Sequence, residues 1–156
     1  MKNLILILFI LPALSLAGQQ RLPQPPSKAE ILNEKYCSPM FASAHGEYFD
    51  MQYDPAAISA NAYTNVLEWL KGRVEGLQVY QTRANVSIPY IRNQLATVYV
   101  DEIPVSFDYL NMLPVSDIAM IKVIKGPFIR NWGGSGGAIA IYTLDGDEEE
   151  DDDGEL

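Results

Sequence analysis

Residues 118–144 read IAMIKVIKGPFIRNWGGSGGAIAIYTL. Two apolar runs rich in β-branched residues, 118–124 and 138–144, flank a connector that opens with Lys125-Gly126-Pro127 and closes with Gly133, Gly134, Ser135, Gly136 and Gly137. Runs this short, bounded by Gly and Pro, read as buried strands and not as helices. Pro127 suits the start of one short helical turn, and the glycines admit positive φ and a close approach of two backbones. The expected unit is strand, KGP corner, short helix, Gly-rich turn, strand. With Asp101 of the preceding segment, its structural motif is Lys125, Gly126, Pro127, Gly133, Gly134, Gly136 and Gly137.

The segment before it supplies a partner for these strands. Residues 97–105 (TVYVDEIPV) read as a hairpin turning at Asp101-Glu102. Pro104 has no N–H for a ladder, so the second arm belongs at a sheet edge. Residues 107–113 read as a single helical turn stopped by Pro114. Further back, residues 77–81 alternate like a strand after Gly76, and 90–92 form a short strand ending at Asn93, which tolerates the left-handed region. In residues 61–74, Tyr63, Val66, Leu67, Leu70 and Val74 recur at helical spacing, which predicts an amphipathic helix with Asn61 as its cap. Residues 28–36 read as a short helix with Ser27 and Glu30 as a capping box, ended by Pro39. Residues 40–57 mix aromatic and polar side chains and read as irregular.

The ends differ in composition from this body. Residues 1–17 have Lys2, an apolar run and a Ser15-Leu16-Ala17 cleavage site, the pattern of a secretory signal peptide cut near Ala17. No Cys follows that site, so no lipid anchor is expected. Residues 18–27 are polar and Pro-rich, an extended leader. Residues 145–156 (DGDEEEDDDGEL) hold nine of the twenty acids and no base, so the net charge of −9 sits in the tail and the rest is balanced. Such a tail is expected to stay disordered. With no basic stripe, nucleic acid is excluded as a partner. The chain of 156 residues divides into a signal peptide (1–17), a leader with one short helix and an irregular segment (18–58), one folded domain (59–144) and the acidic tail (145–156).

Chemistry has little material. The one histidine, His45, lies in the least regular segment, with no nucleophile or orienting group at a suggestive spacing. Asp101 and Glu102 are adjacent on a tight turn and are expected to point apart. Gly133–Gly137 lacks the following Lys-Ser/Thr of a P-loop, and a strand follows it where a phosphate site needs a helix N-terminus. The single Cys37 permits no internal disulfide and reads as a small, half-buried hydrophobe. No cofactor, metal or small-molecule substrate is expected, and the chain reads as a non-enzyme. Arg83, Arg92, Arg130 and Trp132 are the candidate partner contacts, since Arg and Trp are over-represented among interface anchors.

Four fragments, in order, resemble the plug domain of TonB-dependent outer-membrane transporters. Residues 65–79 are similar to the helix-to-strand passage "vl-ealqGrvpGvqV". Ile91-Arg92-Asn93 is similar to I-R-G, and 98–105 (VYVDEIPV) to V-Y-V-D-G-I-P-V. Residues 118–143 resemble "I-e-x-I-E-V-L-K-G-P" with its Gly-rich closing strand. Glu102 departs from the hairpin Gly, and Lys122 from a Glu whose charge the barrel wall would face. The resemblance implies a small mixed β-sheet with short helices, α+β in class. It also implies a periplasmic address at the outer membrane and a β-barrel protein as partner. The family's plug sits inside a barrel of ~22 strands, but here the sequence given passes from the closing strand into acid. The resemblance therefore implies a free-standing plug that closes a pore made by another chain, like the plug subunit of the type IX secretion translocon. The alternative it leaves open is a ligand-binding module or a separately encoded part of a nutrient transporter.

Overall fold

The computed structural model describes residues 25–128 and 136–144. The signal-peptide pattern, the leader up to residue 24, the expected short helix after Pro127 and the acidic tail lie outside them. Ser27 caps α1 (Lys28–Tyr36), its hydroxyl accepting the Glu30 N–H while the Glu30 carboxylate accepts the Ser27 N–H, the predicted capping box. The helix ends at Cys37, whose backbone is extended. Pro39 does not end α1 but begins α2 (Pro39–Ala42), where its missing N–H costs nothing.

Residues 40–57 are not irregular. They contain most of α2, the strand β1 (Glu47–Asp50) and the start of a 3-10 segment, Pro55–Ala62. The long helix predicted over 61–74 is likewise corrected. Asp54 caps and Pro55 opens the 3-10 segment, Tyr63 and Asn65 have extended backbones, and only α3 (Val66–Leu70) is α-helical, capped by Asn65 in place of Asn61. The apolar spacing was real for Val66, Leu67, Leu70 and Val74, which are buried, whereas Tyr63 is exposed.

The remaining strands are β2 (Leu77–Gln81), β3 (Ser87–Ile91), β4 (Gln94–Leu95), β5 (Thr97–Val100), β6 (Ile103–Val105), β7 (Ile118–Ile124) and β8 (Ala138–Thr143). They form an antiparallel three-stranded sheet, β2-β3-β4, and a five-stranded sheet ordered β1-β7-β8-β5-β6. The second sheet is mixed, because β8 runs antiparallel to β7 and parallel to β5. Pro104 lies on the edge strand β6, as its missing donor requires. Short 3-10 turns at Phe107–Asn111 and Val115–Asp117 lead into β7, anchored by buried Leu110 and Val115. The class is α+β with small sheets and short helices.

Both faces of the five-stranded sheet are covered, and this is why 118–124 is apolar without alternation. One face carries Ile121, Val123, Ile139, Ile141, Val98 and Val100 into a core shared with α3 and the three-stranded sheet. The other carries Met120, Ile124, Ala138, Ala140, Tyr142 and Tyr99 against Leu32 of α1 and Phe41 of α2. At the β5–β6 turn Asp101 and Glu102 both have positive φ, 47° and 65°. Glu102 bears that cost because its carboxylate accepts the Ser38 N–H at 2.6 Å and the Tyr142 hydroxyl at 3.1 Å. Glu102→Gly is therefore expected to lower stability by about 1 kcal/mol: relief of about 1–2 kcal/mol of left-handed strain is outweighed by the lost charged hydrogen bonds. A urea titration in which the glycine variant is the more stable would reverse that ranking of effects.

Candidate functional site

The closing corner and the sheet face behind it gather most of the described residues among those singled out in the sequence. Lys125 pairs with the Glu47 carboxylate and so ties the corner to β1. Gly126 has open space around its Cα, while Pro127 is exposed. Gly136 and Gly137 are wedged where a side chain has no room. A Cβ on Gly136 would lie 2.4 Å from the Gln94 carbonyl oxygen, and one on Gly137 2.1 Å from that of Ile124. Asp101 accepts the Thr143 N–H and hydroxyl, both at 2.8 Å, locking the hairpin turn to the end of β8. Gly133, Gly134, Arg130 and Trp132 lie outside the described residues.

Arg83 and Arg92 are both exposed but are not brought together. Arg83 is in the β2–β3 turn and Arg92 follows β3 at the other end of the hairpin, so about 17 Å of strand separates them.

The Asp101 carboxylate engages Thr143 and that of Glu102 engages Ser38 and Tyr142. Both line one cleft of about 340 Å³ with Lys35, Tyr36, Ser38 and Tyr142. Each carboxylate is already occupied by protein donors, so the pair is structural. Behind the cleft, burial pushes the half-buried Cys37 thiol up, and burial with the neighbouring Cys37 and Glu102 pushes the Tyr142 hydroxyl up. His45 is exposed. Among the described residues no group of three or more His, Cys, Asp or Glu could hold a metal ion, and no helix is long and apolar enough to cross a membrane.

The packing of the N-terminal unit, residues 28–50, is the feature that sequence reading missed. The unit lies over the second face of the five-stranded sheet, joined by β1 pairing with β7 and by Phe41, which is fully buried against Tyr99 and Phe128. Lys122 is consequently not turned to an outside wall. It is 0% exposed beneath this unit, its ammonium 2.9 Å from Asn33 Oδ1 and donating also to the Phe41 carbonyl. Position 122 alternates with the core positions Ile121 and Val123, which placed it on the opposite face; only the covering by α1 and α2 was invisible.

Asp50 closes the unit. Burial alone would raise its carboxyl, but the N–H groups of Tyr53 and Gln52 and the Lys28 ammonium at 3.1 Å outweigh burial and hold it below the usual carboxylate range. The Ser27 N–H does the same for exposed Glu30. A carboxyl lower in the folded than in the unfolded chain contributes stability above about pH 4 and loses it as pH falls through the folded value. Asp50→Asn is therefore expected to melt below wild type at neutral pH and to converge with it as pH falls through the folded value. A gap independent of pH would remove Asp50 from the acid response.

A second cleft, about 470 Å³, opens at the N-terminal end of α3 and is lined in part by the amides of Asn65, Gln81, Asn85 and Asn111. Asn65 donates to Asn111 Oδ1 at 2.7 Å, Asn111 to the Asn85 carbonyl at 3.0 Å, and Gln81 to Asn85 Oδ1 at 2.6 Å, while Glu68 accepts the Ser87 hydroxyl.

Comparison with known proteins matches the TonB-dependent receptor plug domain model to residues 51–139. Among solved structures, the RagAB peptide importer in its closed-closed state aligns with 65% of this chain at 19% identity and a TM-score of 0.49. The ferric enterobactin receptor of Pseudomonas aeruginosa in complex with enterobactin aligns with 65% at 20% identity and a TM-score of 0.48. The aligned part spans 12% of the importer chain and 18% of the receptor chain. Comparison with curated protein sequences gives no significant match. The matched segment, which takes in the β5–β6 hairpin, the KGP corner and the wedged glycines and covers more than half of the sequence, places this chain in the family of TonB-dependent receptor plug domains.

Proposed function

We propose that this chain acts as a free-standing, non-enzymatic plug. On this reading it is exported through its 1–17 signal segment to the periplasm and closes the pore of a separate outer-membrane β-barrel, a protein-secretion translocon of type IX. The observation that carries the reading is the double covering of the five-stranded sheet. One face is closed by α3 and the small sheet, the other by residues 28–50, so the 59–144 body needs no barrel wall to complete its core. A body of about 100 residues has a radius of gyration of ~13 Å, enough to obstruct the bore of a ~22-stranded barrel. Exposed Arg83 and Arg92, with Arg130 and Trp132, are the contacts offered to that barrel.

The amide-lined cleft favours a second reading, a ligand-binding module or separately encoded component of a nutrient transporter. Its amides are bonded to one another, and a polar solute would bind there by exchanging those bonds.

One experiment separates the two. Affinity-tagged chain is recovered from detergent-solubilised outer membrane, and the co-purifying barrel is identified and reconstituted in planar bilayers. A pore-closing plug lowers the barrel's conductance when added back. A barrel that is a nutrient importer supports the second reading, and recovery of no barrel, or unchanged conductance, overturns the first.

A further inference from the structure

Lys122 is in an unusual position for a core residue. Among the described residues, every partner of its ammonium comes from residues 28–50: Asn33 Oδ1, the Phe41 carbonyl and the face of the Tyr48 ring at 4.9 Å. None carries a negative charge, and the Phe41 carbonyl already accepts the Ala44 N–H at 3.2 Å. Removing an ammonium from water costs several kcal/mol, which neutral acceptors offset only in part. A carboxylate would add the opposite charge that these neutral acceptors lack.

The strand register adds a second under-satisfied group on the same face. Tyr48, Lys122, Ala140 and Tyr99 are successive cross-strand neighbours on β1, β7, β8 and β5. The Tyr99 hydroxyl is buried with no hydrogen-bond partner among the described residues. Between Tyr99 and Lys122 the sheet carries only Ala140, a flat floor covered from above.

That cover buries few side chains of its own, although the β1–β7 pairing, the Lys125–Glu47 pair and the Ser38 N–H to Glu102 tie it to the body. Its buried apolar side chains are Leu32 and Phe41, with half-buried Tyr36, Cys37, Ala44 and Tyr48 around them. Its strand β1 is a four-residue edge. Gly46 lets it pass close over the lysine stem, since a Cβ there would lie 2.8 Å from the Val123 carbonyl and 3.2 Å from Lys122 Cγ. The family match begins at residue 51, immediately after the cover. Segments with few buried contacts open at lower free energy than the core.

We propose that residues 28–50 form a displaceable cover on a protein-docking face of the five-stranded sheet, and that the partner segment replacing it presents a carboxylate to Lys122. The cover belongs to the isolated chain and does not rest on the pore-closing reading, so each fails separately.

The test is hydrogen exchange with mass spectrometry on the purified full chain, using sodium hexanoate as an apolar carboxylate probe and hexylammonium chloride as its charge-reversed control. In wild type, amides of 28–46 are expected to exchange at least about tenfold faster than those of β7 and β8. Hexanoate speeds exchange in 28–46 further, and hexylammonium does not. Lys122→Met, which removes the buried cation at similar volume, slows exchange of 28–46 about tenfold and abolishes the hexanoate response. Lys122→Gln, which keeps a donor without the charge, behaves like the methionine variant and serves if that one does not fold. Faster exchange of the cover in these variants would make Lys122 a structural clasp and overturn the proposal. So would equal responses of wild type to the two probes.

Discussion

Gly137→Ala is expected to cost more than about 4 kcal/mol or to prevent folding altogether, an effect far outside the ordinary range for one methyl group. Gly137 has φ +104°, a region strained for any side chain, and its added Cβ would sit 2.1 Å from the Ile124 carbonyl oxygen and 3.4 Å from that of Gly126. Neither the glycine nor the carbonyls have freedom to move apart. The Gly137 carbonyl accepts the Thr97 N–H at 3.1 Å, the next residue begins the parallel pairing of β8 with β5, and Ile124 ends the β7–β8 ladder opposite Ala138. A shift large enough to admit the methyl group would break the mixed sheet at its centre. Gly126→Ala, at a position with nothing within 4 Å of an added Cβ, is the control and should change stability by less than about 1 kcal/mol. Urea titration followed by far-ultraviolet circular dichroism reads both. If the two variants unfold at similar urea concentrations, the wedged turn does not hold the sheet together.

Trp69→Ala is expected to cost about 3–5 kcal/mol. The indole is 1% exposed, edge-on to Phe49 at 5.6 Å, and its Nε1–H donates to the Ser59 hydroxyl at 3.0 Å. The Arg73 guanidinium lies 4.6 Å from its ring and donates to the Trp69 carbonyl, so the same side chain ends α3 and roofs the core. A helix of five residues has no stability of its own, and α3 persists because Val66, Leu67, Trp69 and Leu70 are all buried against the sheet. Trp69→Phe keeps most of the volume and loses the hydrogen bond to Ser59, so it should fall between wild type and alanine. An alanine variant within about 1 kcal/mol of wild type in urea would mean that the core closes over the gap.

The elements legible in the sequence share one property: their causes lie within a few residues. The capping box at Ser27 and Glu30, the turn at Asp101-Glu102, the edge placement of Pro104 and the two buried strands around the KGP corner are all local chemistry or local patterning. The close approach of glycines 136 and 137 was legible as a type of contact, although its partners Gln94 and Ile124 were not. The helix over 61–74 was misjudged because apolar spacing says nothing of backbone breaks. Asp54 and Pro55 begin a separate 3-10 segment, and Asn65 recaps the chain just where the spacing implied continuity.

What the amino-acid order determined unaided was the closing corner, the hairpin before it and the membership of the family, because Gly, Pro and β-branched residues constrain the backbone wherever they stand. What only the tertiary structure decided was the fate of residues 28–50 and the side of Lys122. The four residues of β1 become a strand because β7 offers an open edge, with Glu47 opposite Val123 and Asp50 opposite Met120. Lys122 is buried because α1 and α2 return across a sheet face that the strand pattern alone leaves open. Strand pairing and burial of this kind are set by partners distant in the chain, and no local preference encodes them.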